Sequence, residues 1–149
     1  MRAQDGTLTT HDSTVLVETV PALRDRRSQV ARHYRDVRRF TEALATPLPA
    51  EDQTVQSMPD ASPTKWHRAH TTWFFETFVL VPYAQGYRLF DEAFGFIFNS
   101  YYESIGPRHP RPSRGVLSRP GVEAGAAYRT YVDTAMERLL DSADRTSWI

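Results

Sequence analysis

The chain has 149 residues, of which 40% are hydrophobic and 24% are charged, and its 18 basic residues balance its 18 acidic ones. This length is that of one domain, and a formal net charge of zero leaves no overall field to attract nucleic acid or an anionic membrane. The absence of cysteine excludes disulfides, thiolate metal sites and a cysteine nucleophile.

Neither a secretory signal nor a membrane-spanning run is visible. The N-terminal sequence MRAQDGTLTTHDST has no apolar core of the kind that a signal peptide needs, and the longest apolar run is far shorter than the ~18 residues that cross a bilayer. We therefore expect a soluble cytoplasmic protein. Residues 1–13 are polar and lack periodicity, so they are predicted to form a disordered tail, and residues 14–149 are predicted to form one helical domain.

The first predicted helix has an apolar face and an arginine-rich face. Apolar or neutral residues recur at helical spacing, at Val30, Tyr34, Val37, Thr41 and Leu44. The opposite face carries Arg24, Arg26, Arg27, Arg32, Arg35, Arg38 and Arg39. This second face could be a phosphate-binding stripe or a solvated surface. The solvated surface is favoured because acidic residues interrupt the run and no aromatic residues alternate with the arginines.

Three prolines between residues 46 and 61 predict a connecting loop, and a second helix is predicted over residues 63–81. Ser62 is a good N-cap, Pro63 suits the first helical position, and Pro82 is expected to end the helix. This helix carries two of the three tryptophans and two of the five histidines, at Trp66, Trp73, His67 and His70.

The remainder of the chain predicts two further helical segments around a proline-rich loop. A helical stripe, which would also suit a strand, consists of Phe94, Ile97, Phe98, Tyr101 and Tyr102. Residues 106–121 form the loop, and a final helix over residues 122–141 has an apolar face made of Tyr128, Val132, Ala135 and Leu139. Three or four helices joined by loops indicate an antiparallel helical bundle.

His67 and His70 lie three residues apart, so their side chains leave neighbouring parts of one helical face. Spacing alone favours an ordinary structural role over metal binding, since a catalytic metal site generally needs three protein ligands. Neither His11, His33 nor His109 has a spacing that completes such a site, and Glu76 points away from His70 around the helix.

Arg108, Arg111 and Arg114 lie in the proline-rich loop, with His109 between the first two. Guanidinium groups bind carboxylate or phosphate with two hydrogen bonds, and prolines order a loop before it binds. A solvated basic loop explains the same composition equally well. No P-loop, dinucleotide fingerprint, zinc-protease motif or nucleophile elbow is present.

Two segments resemble a known family: PDASPTKWHRAHTTWFFETF at residues 59–78 and FNSYYESIGPRHPRPSRGVLSRP at residues 98–120. They are similar to the N-terminal DinB-like domain of the ergothioneine-biosynthesis sulfoxide synthases, non-haem iron enzymes that join a thiol to the histidine betaine hercynine. The similarity runs from about Val37 to Leu140. It implies an all-α fold, a DinB-like antiparallel helical bundle.

The resemblance also implies roles for particular residues. His70, with Trp66 and Ala69, matches the family's W-x-x-A-H segment and would be one of three Fe(II) ligands, with His67 as a neighbour. Arg111 and Arg114 match the H-P-R-x-x-R loop. They would bind carboxylates of the thiol substrate, which is γ-glutamylcysteine or cysteine.

The family's other two iron ligands lie in an H-x-x-x-H motif on a following helix, and this sequence does not contain that motif. It also lacks the family's C-terminal sulfatase-modifying-factor-like domain. The resemblance therefore implies a bundle without its last helix, an incomplete iron site and a chain that is inactive alone. The chain would be an N-terminal fragment that is truncated, annotated short, or split, with the missing portion then encoded separately as a partner. The alternatives are a non-catalytic DinB-like binding module, a degenerate fragment, or a metal-dependent thiol transferase that completes its site across a homodimer.

Overall fold

The computed structural model describes residues 20–142, with side chains from residue 25 onward. The predicted disordered tail at residues 1–13 lies outside this range. This range contains five α-helices, which we number α1 (Val20–Ala45), α2 (Thr64–Phe75), α3 (Val81–Tyr83), α4 (Phe94–Phe98) and α5 (Val122–Asp141). A π-helical segment, Glu76–Leu80, joins α2 to α3, and 3₁₀ turns lie at Asp52–Thr54, Glu103–Ile105 and Arg111–Val116. Residues 20–142 contain no strand, which confirms the all-α prediction.

The core is built around α2, which packs against α1, α4 and α5. Its centre consists of Trp66, Trp73, Leu80, Phe94, Phe98, Tyr128, Val132, Met136 and Leu139. The predicted bounds of α5 are confirmed, and so is its apolar face: Tyr128, Val132 and Leu139 are buried, and Ala135 packs against them half-buried. None of the helices within residues 20–142 is long and apolar enough to cross a membrane.

The predicted apolar face of α1 is only partly correct, since Tyr34 is buried as predicted and Thr41 is half-buried, but the other three positions are exposed. Val30, Val37 and Leu44 are 52%, 46% and 63% exposed, while the face that enters the core consists of Ala31, Tyr34, Arg38 and Ala45. Arg38 was predicted to be solvated with the other arginines of this helix. It is buried instead, because its guanidinium binds Asp133 of α5 and Thr72 of α2. Periodicity of apolar residues cannot anticipate a core position taken by an ion pair.

The start of α2 also differs from the prediction. Pro63 is the cap residue, with an extended ψ of 149°, and its carbonyl accepts hydrogen bonds from the backbone N–H groups of Trp66 and His67 at 3.0 and 3.2 Å. The hydroxyl of Ser62, the predicted cap, accepts a hydrogen bond from Arg114 at 2.8 Å instead. The helical path continues through the π segment and past Pro82 to Tyr83.

Helix α4 is shorter than predicted, since the aromatic stripe runs to Tyr102 but the helix ends at Phe98. The buried Asn99 side chain ends it by donating to the carbonyls of Tyr102 and Gly106, both at 3.1 Å, and by accepting from the N–H of Tyr102 at 3.3 Å. Tyr101, predicted to continue the helix, is 66% exposed. Asn99 thereby turns the chain into the loop that carries the arginines.

Candidate functional site

His70 is fixed against two tryptophans of its own helix. Trp66, His70 and Trp73 are spaced i, i+4 and i+7, so they share one face of α2. The imidazole stacks on Trp66, with ring centroids 4.8 Å apart and planes 14° apart, and on Trp73 at 5.6 Å and 20°. Trp66 is itself tethered, because its indole N–H donates to the carbonyl of Ile97 at 2.9 Å.

A hydrogen bond sets the tautomer of His70. Its Nδ1 lies 2.8 Å from the carbonyl oxygen of Phe98, which can only accept, so Nδ1 carries the proton and Nε2 keeps a lone pair. Burial lowers the pKa of His70, and the positive charge of Arg114 lowers it further, although the bond to Phe98 opposes both effects. A neutral imidazole held by its Nδ1–H is the form in which histidine binds a metal.

One histidine does not make an iron site. Within residues 20–142 no group of three His, Cys, Asp or Glu side chains is arranged to hold a metal ion. Glu76, the nearest carboxylate along the helix, is buried and accepts hydrogen bonds from Tyr87, Tyr128 and the N–H of Phe90. His67 lies on the exposed side of α2. The described residues therefore offer iron one ligand and do not fit a complete site.

Arg114 belongs to the Arg111–Val116 turn and is almost fully buried, at 3% exposure. Its guanidinium carbon lies 3.5 Å above the centre of the Trp66 ring, and its Nη1 donates to the hydroxyl of Ser62. Its Nε is buried without a hydrogen-bond partner. Indole faces attract cations, so Arg114 is positioned by an aromatic ring and a hydroxyl.

Negative charge is scarce around this guanidinium. Among the described residues, no carboxylate lies within ion-pair distance of Arg111 or Arg114, and Arg108 contacts Glu103 at 3.5 Å on the surface. Burial lowers the pKa of Arg114 to about 10, and the charges of Arg111 and Arg108 contribute in the same direction. Arg114 is still a cation at neutral pH, so this region retains an unbalanced positive charge.

The three arginines line an open cleft of about 540 Å³. Its walls are completed by Asp60, Ser100, Tyr101, Pro110 and Pro112. Arg111 is half-buried, with its guanidinium 4.8 Å from the centre of the Tyr101 ring. Asp60 is the one carboxylate of this lining, so the balance of charge favours a small anion that carries carboxylate or phosphate groups.

The indole of Trp66 connects the two predicted sites, because it contacts both the imidazole of His70 and the guanidinium of Arg114. The structure thus brings His70 and Arg114 together, with Arg111 in the adjoining cleft. Of the other described histidines, His67 contacts the same indole at 5.6 Å between ring centroids, whereas His33 and His109 are not part of this group. His33 is exposed on α1, and His109 packs against Phe96 with its Nδ1 buried and unpartnered.

Two residues that organise the site were missed by the sequence analysis. Gln56 lies in the segment interpreted as a plain connecting loop, yet its amide binds the arginine turn at Arg111 and Gly115. Lys65, the only lysine, is buried and donates to the carbonyl of Leu117 at 2.6 Å. Neither contact had a local sequence signal, because the burial of Lys65 and the partners of Gln56 appear only in the structure.

The fold and the site together define an all-helical bundle protein whose central helix places a half-buried histidine beside an arginine-lined cleft. Among curated proteins, none matches the chain. The family model of the DinB superfamily matches residues 33–148, which is most of the chain. The chain belongs to the DinB superfamily, and the DinB-like fold expected from the sequence is confirmed.

Proposed function

We propose that this chain is the DinB-like part of an Fe(II)- and O₂-dependent sulfoxide synthase, which joins a thiol to hercynine in ergothioneine biosynthesis. In this proposal His70 contributes one iron ligand, while Arg111 and Arg114 bind carboxylates of the thiol substrate. The observation that carries the proposal is the shared contact of His70 and Arg114 with the indole of Trp66. It places a neutral imidazole and an unbalanced cation next to one another.

The chemistry of the thiol suits the cleft. γ-Glutamylcysteine carries two carboxylates, and guanidinium forks are the side chains best matched to that geometry. Because Arg111 and Arg114 lack carboxylate partners among the described residues, a ligand that supplies negative charge would relieve their mutual repulsion. The metal would bring oxygen activation, but one ligand is too few to hold it, so no catalytic step is assigned to these residues.

A second observation supports a further helix in the complete enzyme. Helix α1 exposes four large apolar side chains to solvent, with exposed fractions of 46–64%, namely Val30, Val37, Phe40 and Leu44. They recur at helical spacing along one side of α1, so they form a stripe rather than scattered positions. An exposed apolar stripe of this kind is typical of an interaction surface. A further helix of the enzyme would cover it.

The decisive experiment is to co-express this chain with the adjacent reading frame and to measure iron content and sulfoxide formation. We expect iron to co-purify, His70→Ala to lose most of the iron and the activity, and His67→Ala to retain both. His67 is the matched control because it lies on the same helix but on its exposed side. Absence of iron in the complex, or iron content unchanged in His70→Ala, would contradict the proposal.

A non-catalytic binding module is the second candidate, and the small number of metal ligands within residues 20–142 favours it. In this case the isolated chain would unfold cooperatively and bind γ-glutamylcysteine with no metal present. Calorimetric titration in the presence of a chelator distinguishes the two. Binding without iron, combined with no sulfoxide formation by the co-expressed protein, would favour the module over the enzyme.

A further inference from the structure

One side-chain amide binds the backbone of the arginine turn Arg111–Val116 at two points. Gln56 donates from Nε2 to the carbonyl of Arg111 at 2.9 Å, and its Oε1 accepts from the backbone N–H of Gly115 at 2.6 Å. The donor and the acceptor of one amide thus bind the two sides of the turn. Between these two points lies Arg114, and at the first of them lies Arg111.

Gly115 allows this close approach. A Cβ atom at position 115 would lie 2.7 Å from the Cβ of Gln56 and 2.9 Å from its Oε1, which is closer than real side chains come. Gly115 is not among the glycines with positive φ, so the requirement for glycine here is space and not backbone conformation. Any larger residue would push the turn away from Gln56.

We infer that Gln56 is a positioning residue for the anion cleft, which acts by fixing the backbone from which Arg111 and Arg114 project. Pro110 and Pro112 restrict the same backbone from within the loop, but they do not set its distance from the helices. Gln56 holds that backbone against the loop before α2, because its two hydrogen bonds span 55 and 59 positions of sequence. The identity of the ligand rests on the proposed function, whereas the anchoring of the turn does not.

Limited trypsin digestion tests the anchor without any ligand. Trypsin cuts the Arg114–Gly115 bond but not the Arg111–Pro112 or Arg119–Pro120 bonds, so the site of cutting reports on this turn. We expect Gln56→Ala to accelerate that cut about tenfold, because two hydrogen bonds are lost. Gln53→Ala is the matched control. Gln53 also makes two strong amide contacts, to Leu48 at 2.8 Å and Arg68 at 2.7 Å, outside the turn.

Binding tests the positioning role. In the co-expressed protein, Gln56→Ala should raise the KM for γ-glutamylcysteine about tenfold while kcat and the KM for hercynine change less than about twofold. Gln53→Ala should leave all three unchanged. Gly115→Ala should reproduce the effect of Gln56→Ala by crowding, and Gly95→Ala should not, since nothing lies within 4 Å of a Cβ at position 95.

The outcomes separate this inference from the proposed function. Equal trypsin cleavage of Gln56→Ala and Gln53→Ala overturns the anchor. Faster cleavage with unchanged affinity for γ-glutamylcysteine leaves Gln56 a structural residue and overturns its positioning role. If the wild-type complex forms no sulfoxide, the proposed function fails. Calorimetric titration of γ-glutamylcysteine into the isolated chain then still tests the positioning role of Gln56. Weaker binding by Gln56→Ala than by the wild type supports this role, and equal binding or no binding overturns it.

Discussion

Buried arginines occur in two groups among the described residues, and the groups differ in what surrounds them. The first group lies between α1, α2 and α5, where Arg38 and Arg129 are each 5% exposed. Arg38 binds Asp133 at 2.8 Å and Thr72 at 2.9 Å, and Arg129 binds Glu42 at 2.9 Å. Each guanidinium therefore contacts at least one carboxylate, and Arg68 binds Glu42 as well, so three arginines share two carboxylates in one network. One nitrogen of Arg129, Nη1, is left without a partner.

The second group lies in the loop after α4, and among the described residues its members Arg111 and Arg114 have no carboxylate within ion-pair distance. Arg114 is more deeply buried than Arg38, yet its contacts are a hydroxyl and an indole face. Arg111 is held over Tyr101, and Arg108 reaches only a surface carboxylate. Burying a cation without a counter-charge costs free energy, so an arginine with only a structural role is expected to have a carboxylate partner. The first group is therefore interpreted as structural and the second as a binding site.

The largest expected effect is on the paired group. Asp133→Ala removes the carboxylate that Arg38, Arg129 and Tyr34 share, and it leaves two buried cations with less compensation. We expect the free energy of unfolding to fall by about 3 kcal/mol, at the low end for a broken buried pair because the Asp133 side chain is 30% exposed. Chemical denaturation measures this loss.

The control for that variant is Asp36→Ala, which removes an ion pair with Arg39 that is exposed on both sides. Such a pair is expected to contribute less than about 0.5 kcal/mol. If the two variants lost similar stability, the first group of arginines would not be a stabilising network, and its difference from the loop arginines would disappear.

The next prediction concerns Arg114 of the loop group, for which we expect a small loss of stability and a large loss of ligand affinity. Arg114→Ala should change the free energy of unfolding by less than about 1 kcal/mol, because the lost contacts with Trp66 and Ser62 are offset by removal of a desolvated cation. Affinity for γ-glutamylcysteine should fall about 30-fold, as expected for a lost charge-assisted hydrogen bond. Denaturation and calorimetric titration measure the two quantities.

Arg108→Ala provides the comparison for this prediction, since Arg108 lines the same cleft but its side chain is 39% exposed. Its loss should weaken binding by only a few-fold. A large loss of stability in Arg114→Ala with unchanged ligand affinity would mean that this buried arginine is structural after all.

The contrast between the two groups shows what the sequence could and could not predict. The all-α fold, the bounds of α5 and its apolar face followed from periodicity, because ordinary apolar packing produces that signal. The buried face of α1 did not, since Arg38 enters the core through contacts with residues more than 30 positions away. Arg38 and Arg114 are equally polar in the sequence, and only their distant partners distinguish them.

Local rules failed at the site for the same reason. Ser62 is a good N-cap by its sequence, yet its hydroxyl serves Arg114 from 52 positions away. Gln56 had no local signal at all. Resemblance to a family identified His70, Arg111 and Arg114 as candidates, but it could not show that one indole contacts two of them. Residues whose partners are distant in sequence are the ones that single-sequence reasoning misses.

The smallest predicted effect is the loss of one hydroxyl from the paired group. Tyr34 donates to Asp133 at 2.5 Å, and burial together with that hydrogen bond raises the pKa of Tyr34. Tyr34→Phe should cost about 1 kcal/mol of stability at neutral pH. It should also change the dependence of stability on alkaline pH, because a phenol with a raised pKa links folding to protonation.

The sign of that dependence follows from the two states of the chain. Above pH ~10 tyrosine ionises in the unfolded chain, but Tyr34 keeps its proton in the folded one, so stability is complete below that pH and falls as the pH rises. Tyr87 and Tyr128 also have raised pKa values through burial and Glu76. Tyr34→Phe should therefore make the decline shallower without abolishing it. Tyr101 is an exposed residue near the loop arginines, and Tyr101→Phe should keep the wild-type decline of stability between pH 9 and 11. An equal change in both variants would show that Tyr34 is not protected by the carboxylate of Asp133.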